Sequence, residues 1–214
     1  MKILFFSSIL GIVFWGCSNP SGPSSNALVR PGVGSFYIIH SYDFDSTGAK
    51  IPGAEWYDTI RVIASGINYR GKTNVVEYKQ DSSASSGGFI NFESNGDLSI
   101  YKDATPLGTW LTFPVMTKTT TSASVDTTYI ENGITTHYWS KDTCSFISDS
   151  NFSIQTQSLP AEAFNVVQRY PGGYDDYIEN DWIVPAIGFW VSSRGGYADD
   201  PRGEQMSVIS YSIK

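Results

Sequence analysis

Cysteine and histidine are the side chains best suited to covalent, metal or acid–base chemistry near neutral pH, and this chain of 214 residues has two of each: Cys17, Cys144, His40 and His137. The histidines are not spaced as metal ligands, and no HExxH, GxSxG or phosphate-binding glycine loop accompanies them. His40, set among aromatic residues, reads as a hydrogen-bonded interior residue. Cys144, in Thr143-Cys144-Ser145-Phe146, has no basic neighbour to stabilise a thiolate and reads as a small buried apolar residue. Oxygen ligands are more plentiful. Asp43-Phe-Asp45-Ser-Thr47-Gly48 opens like a calcium loop, but the twelfth position, which needs a bidentate acid, is Ala54, so a hairpin turn is the better reading. Two acidic clusters, Asp175, Asp176, Glu179 and Asp181, then Asp199, Asp200 and Glu204, could attract a hard cation, although solvated loops are the commoner meaning of such clusters. No catalytic residue, metal or cofactor is expected, and the chain is read as not being an enzyme.

Cys17 belongs to a different kind of chemistry. It ends an apolar run of about a dozen residues that starts after Lys2, the pattern of a secretory signal and too short for a membrane span. Phe14-Trp15-Gly16-Cys17 looks like a bacterial lipobox, in which the thiol is acylated and cleavage leaves the cysteine as first residue. Phe14 and Trp15 replace the aliphatic and small residues usual there. Residues 1–16 are therefore read as a lipoprotein signal and 17–30 as the lipidated cysteine with a flexible Ser/Pro/Gly linker. Residues 31–214 are read as one domain. Ser18 in place of Asp carries no inner-membrane retention signal, so the expected address is the outer membrane of a diderm bacterium, with the lipid anchor as the membrane contact. Lipidation of Cys17 would leave Cys144 as a single thiol, without a disulfide partner. The formal charge of −7, deepened by one on loss of Lys2, argues against a nucleic-acid partner.

The elements that must position these residues read as strands. Ser35 to Asp45 alternates, with Phe36, Ile38, His40, Tyr42 and Phe44 on one face. Tyr57 to Tyr69 and Thr73 to Lys79 form a hairpin, with Ile51-Pro52-Gly53 in the preceding loop. Around Asn95-Gly96 a second hairpin is signalled, and a three-residue loop pairing Ser94 with Leu98 and Phe92 with Ile100 puts Ile90, Phe92, Leu98 and Ile100 on one face. Pro114 makes Trp110 to Met116 an edge or bulged strand, and the threonine-rich Lys118 to Tyr129 reads as an exposed edge that turns at Glu131-Asn132-Gly133 into Ile134 to Trp139. Short strands are expected around Phe146, Ile147, Phe152 and Ile154. Leu159 to Arg169 fits a helix or a strand. Trp182 to Val191 reads as one buried strand bent at Pro185 and Gly188, and Met206 to Ile213 closes the chain. The fold class is all-β: a single antiparallel domain, a strongly curved sheet or half-open barrel of about eleven strands with at most one or two helices.

Three segments of the C-terminal half carry a resemblance. Leu159-Pro160-Ala161-Glu162-Ala163-Phe164 with Val166-Val167 resembles a strand entry of the form V-P-A-G-T-F. Trp182 with Pro185-Ala186-Ile187-Gly188-Phe189 and Val191 resembles W-x-x-P-G-V-G-x-V, and Ser210 to Lys214 resembles a closing strand. Together they resemble uncharacterised exported bacterial lipoproteins, whose fold is similar to the half-barrel of the lipoprotein carriers LolA and LolB. Glu162, Ala163 and Ala186 depart from that pattern. The resemblance implies an apolar concave face and no catalytic residue.

On this reading the aromatic residues are the candidate ligand surface. Trp182, Trp190, His40 and Tyr42 are the side chains expected to contact a lipid or other apolar molecule on the concave face, with a polysaccharide stacked on exposed rings as the alternative.

Overall fold

The computed structural model describes residues 28–82, 88–102, 108–169, 176–200 and 202–214; Cys17, the signal segment and Asp175 lie outside them. The described residues form twelve strands: β1 (Phe36–Phe44), β2 (Lys50–Tyr69), β3 (Lys72–Gln80), β4 (Phe89–Phe92), β5 (Leu98–Lys102), β6 (Thr109–Phe113), β7 (Thr120–Glu131), β8 (Ile134–Ile154), β9 (Gln157–Arg169), β10 (Tyr177–Val184), β11 (Phe189–Tyr197) and β12 (Gly203–Ser212), with one 3-10 turn at Pro185–Ile187. They make one antiparallel sheet that runs from β6 back through β5, β4, β3 and β2 to β1, then on through β12, β11, β10, β9 and β8 to β7. Each half is a plain meander, and the halves join through β1 and β12. The sheet curls into a nearly closed barrel, so its edges, β6 and β7, come together. Across that seam the Thr121 hydroxyl donates to the Thr112 carbonyl, and inside the barrel Phe113 of β6 meets Phe164 of β9 edge to face at 5.4 Å. Pro114 ends β6 where the chain must leave the ladder, in keeping with its edge position.

One end of the barrel, here the near end, holds the entry of the described chain. The Val29 N–H donates to the Pro185 carbonyl at 2.8 Å and the Gly32 N–H to the Lys214 carbonyl at 2.9 Å, and Leu28 packs on the core. Three residues read from sequence as linker, 28–30, are thus docked on the domain. The far end carries the turns after β1 and β11.

In β1 the inward residues are Tyr37, Ile39 and Ser41, while Phe36, Ile38, His40 and Tyr42 face outward and are half-buried. Both faces carry large side chains, so alternation predicts the strand without saying which face is inside. The partners decide it: Tyr37 stacks on Phe189 at 4.1 Å and its hydroxyl donates to the Ile187 carbonyl at 2.9 Å, while Ile39 pairs with buried Val208. His40 is therefore not an interior residue.

The Asn95-Gly96 hairpin keeps its expected parity. Its three-residue loop lies one position earlier than expected, over Ser94 to Gly96, closed by Glu93 N–H to Asp97 carbonyl at 2.9 Å and Gly96 N–H to Glu93 carbonyl at 3.0 Å. Gly96 has φ +86°, the left-handed position of a type I turn with a bulge. Phe92 consequently pairs with Leu98 and Ile90 with Ile100, and all four are buried.

Three other expectations are corrected. Ile51-Pro52-Gly53 lies within β2, where Gly53 takes φ +80° and the register with β1 breaks. The separate strands expected between Ile134 and Ile154 are one strand, β8, of 21 residues, bent by a register shift next to Phe146. Trp182 to Val191 is two strands: Pro185 cannot donate to a ladder, and Gly188, at φ +61°, caps the 3-10 turn. The Val29 carbonyl oxygen lies 1.8 Å from where a Gly188 Cβ would stand, so only glycine lets the entering chain dock there. Leu159 to Arg169, left open between helix and strand, is strand β9.

The near-end half of the barrel is filled by its own side chains: Tyr37, Phe113, Phe164, Phe189, Ile183 and Leu111 are each at most 2 % exposed. Burial of this apolar surface, at about 25 cal/mol per Å², is the main term holding the sheet curled.

Candidate functional site: the acidic mouth of the barrel

Toward the far end the inward residues change character. Cross-strand register sets them out in rows. The outermost row is Asp142, Gln168, Tyr177 and Tyr197. Next come Cys144, Val166, Glu179, Gly195, Glu204 and Asp43, then Phe146, Phe164, Asp181, Ser193, Met206, Ser41 and Trp56. Asp43 lies directly opposite Glu204, an unfavourable pairing of like charges. Glycine at 195 leaves room that Tyr177 uses: a Cβ there would stand 2.4 Å from the Tyr177 hydroxyl. Asp43, Phe44, Tyr177, Tyr197, Asp200 and Glu204 help to line a cleft of about 430 Å³ that opens here.

The electrostatics follow from the crowding. Burial, with repulsion from Glu179, pushes the Asp181 carboxyl well above the usual carboxylate range. Burial also raises Asp142, with Glu179 adding to the effect and Lys102 opposing it, and it raises Glu204 together with Asp43 and Glu179. The Tyr177 phenol is pushed up to about 12 by burial and by Glu179, Glu204 and Asp181. Burial raises the Cys144 thiol too, with Asp181 adding to it, so this residue is a packed, protonated thiol and not a nucleophile. Lys102 is the cation that reaches this group, and its ammonium lies 3.7 Å from Glu179. Asp181 is 1 % exposed, and neither of its carboxylate oxygens has a hydrogen-bond partner among the described residues. Ser193, its cross-strand neighbour, donates to Glu179, and its hydroxyl only partly offsets the burial of Asp181. The near end offers a contrast, because buried Glu162 is answered there by Lys118 at 2.8 Å.

Sequence reading missed this site because it assigned Glu179, Asp181 and Glu204 to solvated loops and passed over Asp142 and Lys102. The available signal was the alternation of Tyr177, Glu179, Asp181 and Ile183, which is that of a strand with carboxylates on its inner face. The remaining acids of those clusters do behave as surface groups: Asp176 pairs with Arg169 at 3.1 Å and Asp200 with Arg202 at 2.6 Å. Asp43 to Gly48 forms a turn in which Asp45 Oδ1 accepts from the Thr47 and Ala49 N–H groups at 2.8 and 3.0 Å. Among the described residues no group of three or more His, Cys, Asp and Glu is arranged to hold a metal ion.

The aromatic residues singled out from sequence lie elsewhere. Trp182, Ser192, Ser207, His40 and Tyr57 form one row across the outside of the barrel, with Tyr42 in the next row. His40 stacks on Tyr57 at 4.6 Å, sits 5.7 Å from Tyr42 and bonds Glu55 at 2.9 Å. Trp190 is on β11, half-buried against Phe189 at 4.8 Å. Trp182, on β10, and Trp190 thus stand on different strands. A second outward cluster, unforeseen because its members are distant in sequence, brings Tyr69 onto Phe89 at 3.7 Å, with Tyr101 and Trp110 edge-on to Tyr69.

No protein-family model matches the sequence, and no curated protein matches it. Solved structures do. A candidate lipoprotein from Parabacteroides distasonis aligns at 11% identity over 89% of this chain and 100% of its own, with a TM-score of 0.53. That likeness is one of fold. The hypothetical lipoprotein YmcC from Escherichia coli aligns at 9% identity over 86% of this chain and 89% of its own, TM-score 0.42. A candidate exported protein with a YmcC-like fold from Bacteroides fragilis aligns at 10% identity over 87% and 99%, TM-score 0.43.

Proposed function

We propose that this chain is a lipid-anchored envelope protein, held through Cys17 in the outer membrane of a diderm bacterium, and that its β domain is a non-enzymatic binding domain. The observation that supports this best is the polarity of the barrel. The chain enters and ends at the near end, where Val29 and Gly32 are hydrogen-bonded, whereas the carboxylate-lined cleft opens at the far end. A tether from Cys17 would hold the near end toward the membrane and leave the mouth free. A carrier of the LolA and LolB kind must admit an apolar ligand to its concave face; here Tyr37, Phe113, Phe164 and Phe189 occupy that space, which favours a polar ligand at the mouth. The alternative, carbohydrate binding, is favoured by the outer row that carries Trp182 and the His40–Tyr57 stack. Metabolic labelling with a fatty-acid analogue tests the anchor. The protein should be labelled and sediment with outer membranes, and Cys17→Ser should abolish both; label that persists in that variant rejects the anchor.

A further inference from the structure

We infer that a cavity at the near end of the barrel is a binding site for a phosphodiester that carries an ammonium, the chemistry of a phosphoethanolamine headgroup, with the phosphate on Arg30 and the ammonium on the Asn91 side-chain oxygen. This site is separate from the mouth, and it rests on the reading above only for the orientation that turns the near end toward a membrane. The ladder between β3 and β4 ends at Val75 and Asn91. A cavity of about 720 Å³ lies where the two strands part, between the start of β3 and the Asn95-Gly96 hairpin. Lys72 crosses the gap to Glu93 at 2.6 Å, and Glu93 also accepts from the Ser99 hydroxyl at 2.5 Å and from the Asn91 side chain. The Lys72 and Glu93 charges therefore balance each other.

Two groups in the lining are left unanswered. Arg30 has no carboxylate partner among the described residues, and its guanidinium stands 5.7 Å from the centre of the Phe92 ring. Docking of the entering chain puts it there, because the hydrogen bonds from Val29 to Pro185 and from Gly32 to Lys214 bracket it. A guanidinium presents parallel N–H donors that match two oxygens of a phosphate. Asn91 is the second observation: it lines the same cavity, is 3 % exposed, and its side-chain oxygen has no donor among the described residues. Such an acceptor is costly until a donor reaches it, and an ammonium carries three. A single ligand that answers both groups needs an anion and an N–H donor. The volume suits a small molecule, whose sites span roughly 300 to 1,000 Å³. Leu28 and Met116 add apolar surface to the lining, where the glycerol and first acyl carbons of a lipid would lie.

The test is calorimetric titration of the purified full-length protein with glycerophosphoethanolamine. Glycerophosphocholine, which has the same phosphate but no N–H donor, is the control for Asn91. Saturable binding of glycerophosphoethanolamine is expected, with glycerophosphocholine at least fivefold weaker. Arg30→Gln should weaken binding tenfold or more, and Asn91→Ala should remove the preference for ethanolamine over choline. Arg30 is exposed, so Arg30→Gln keeps the test sound should Asn91→Ala fold poorly. Absence of saturable glycerophosphoethanolamine binding, equal affinity for glycerophosphocholine, or unchanged affinity in Arg30→Gln would each overturn the inference. A further titration with dihexanoyl-phosphatidylethanolamine below its micellar concentration identifies the source of the headgroup. Tighter binding than glycerophosphoethanolamine assigns it to a membrane lipid, equal or weaker binding to a free phosphodiester, and both uphold the site. None of these outcomes bears on the Cys17 anchor, which the labelling experiment decides separately.

Discussion

Asp181 shows how one side chain can matter more than its neighbourhood in sequence suggests. It stands beside Trp182 in a segment rich in acids, and a run of acids is ordinarily solvated. Its place on β10, opposite Phe164 on one side and Ser193 on the other, depends on strand pairings that only the folded sheet supplies. The pH consequence can be worked out from the direction of the shifts. Asp142, Asp181 and Glu204 have carboxyls raised by burial, so the folded state holds their protons more tightly than the unfolded chain does. Their contribution to stability is complete below the ordinary carboxylate value near 4 and is lost as pH rises through the folded-state values. Asp45, Asp81 and Asp200, held below the ordinary range by their hydrogen bonds and, for Asp81 and Asp200, by arginine partners, act in the opposite sense and only in stronger acid. Between pH 5 and pH 8 the unfolding midpoint of the ligand-free protein should therefore fall, and Asp181→Asn should flatten that slope and raise the midpoint at pH 8. Thermal unfolding followed by circular dichroism across this range checks it; a slope unchanged in the variant would mean that Asp181 does not carry the effect.

At the scale of elements, the turn of the Asn95-Gly96 hairpin ties β4 and β5 to the connection that closes the barrel. Asp97, 3 % exposed, accepts from the Met116 and Thr117 N–H groups at 2.9 and 3.1 Å and from the Thr117 hydroxyl at 2.9 Å. It thereby positions the link between β6 and β7, the two edges of the sheet. Asp97→Ala removes the acceptor and leaves two backbone donors unpaired, at a cost of about 3 kcal/mol, the upper end for a hydrogen bond to a charged group. Hydrogen exchange should accelerate first at Thr117 and along β6 and β7, while β1 and β12 stay protected; uniform loss of protection would show that the seam is not a separate weak point. Hairpin and alternation signals were legible because the Asn95-Gly96 turn and alternating apolar residues are local, and they gave strands around residues 36–44, 73–79, 89–102 and 206–212. The lengths of β2 and β8 were not legible. Proline, glycine and polar residues look like breaks in sequence, yet they sit in strands whose register shifts absorb them. Trp182 to Val191 failed in the opposite direction, since apolar density suggested continuity where Pro185 and Gly188 make a turn.

For the whole molecule, sheet order has a consequence of its own. Because β1 and β12 are neighbours and Gly32 bonds Lys214, the two ends of the described chain meet at the near end, and the barrel is a ring of antiparallel neighbours with one seam between β6 and β7. The identity of the closing strands was readable from sequence in part, since Pro114 and the threonine-rich stretch marked both edges. The ring itself was not, because pairing of β1 with β12 joins residues from opposite ends of the chain. If the ring rather than the chain order specifies the fold, moving the break should be tolerated wherever backbone is exposed and carries no buried contacts. Asn132 and Gly133 form such a turn between β7 and β8, with exposed Ile130 and Ile134 beside it. A permutant that joins Lys214 to Leu28 through a short Gly/Ser linker and opens between Asn132 and Gly133 should give the β-type far-UV spectrum of the parent and one cooperative unfolding transition. Opening instead between Asn95 and Gly96 breaks the turn that holds Asp97 against Met116 and Thr117, and that permutant should unfold at lower temperature or fail to close its seam. Equal stability of the two would mean that the Asp97 turn does not govern closure of the barrel.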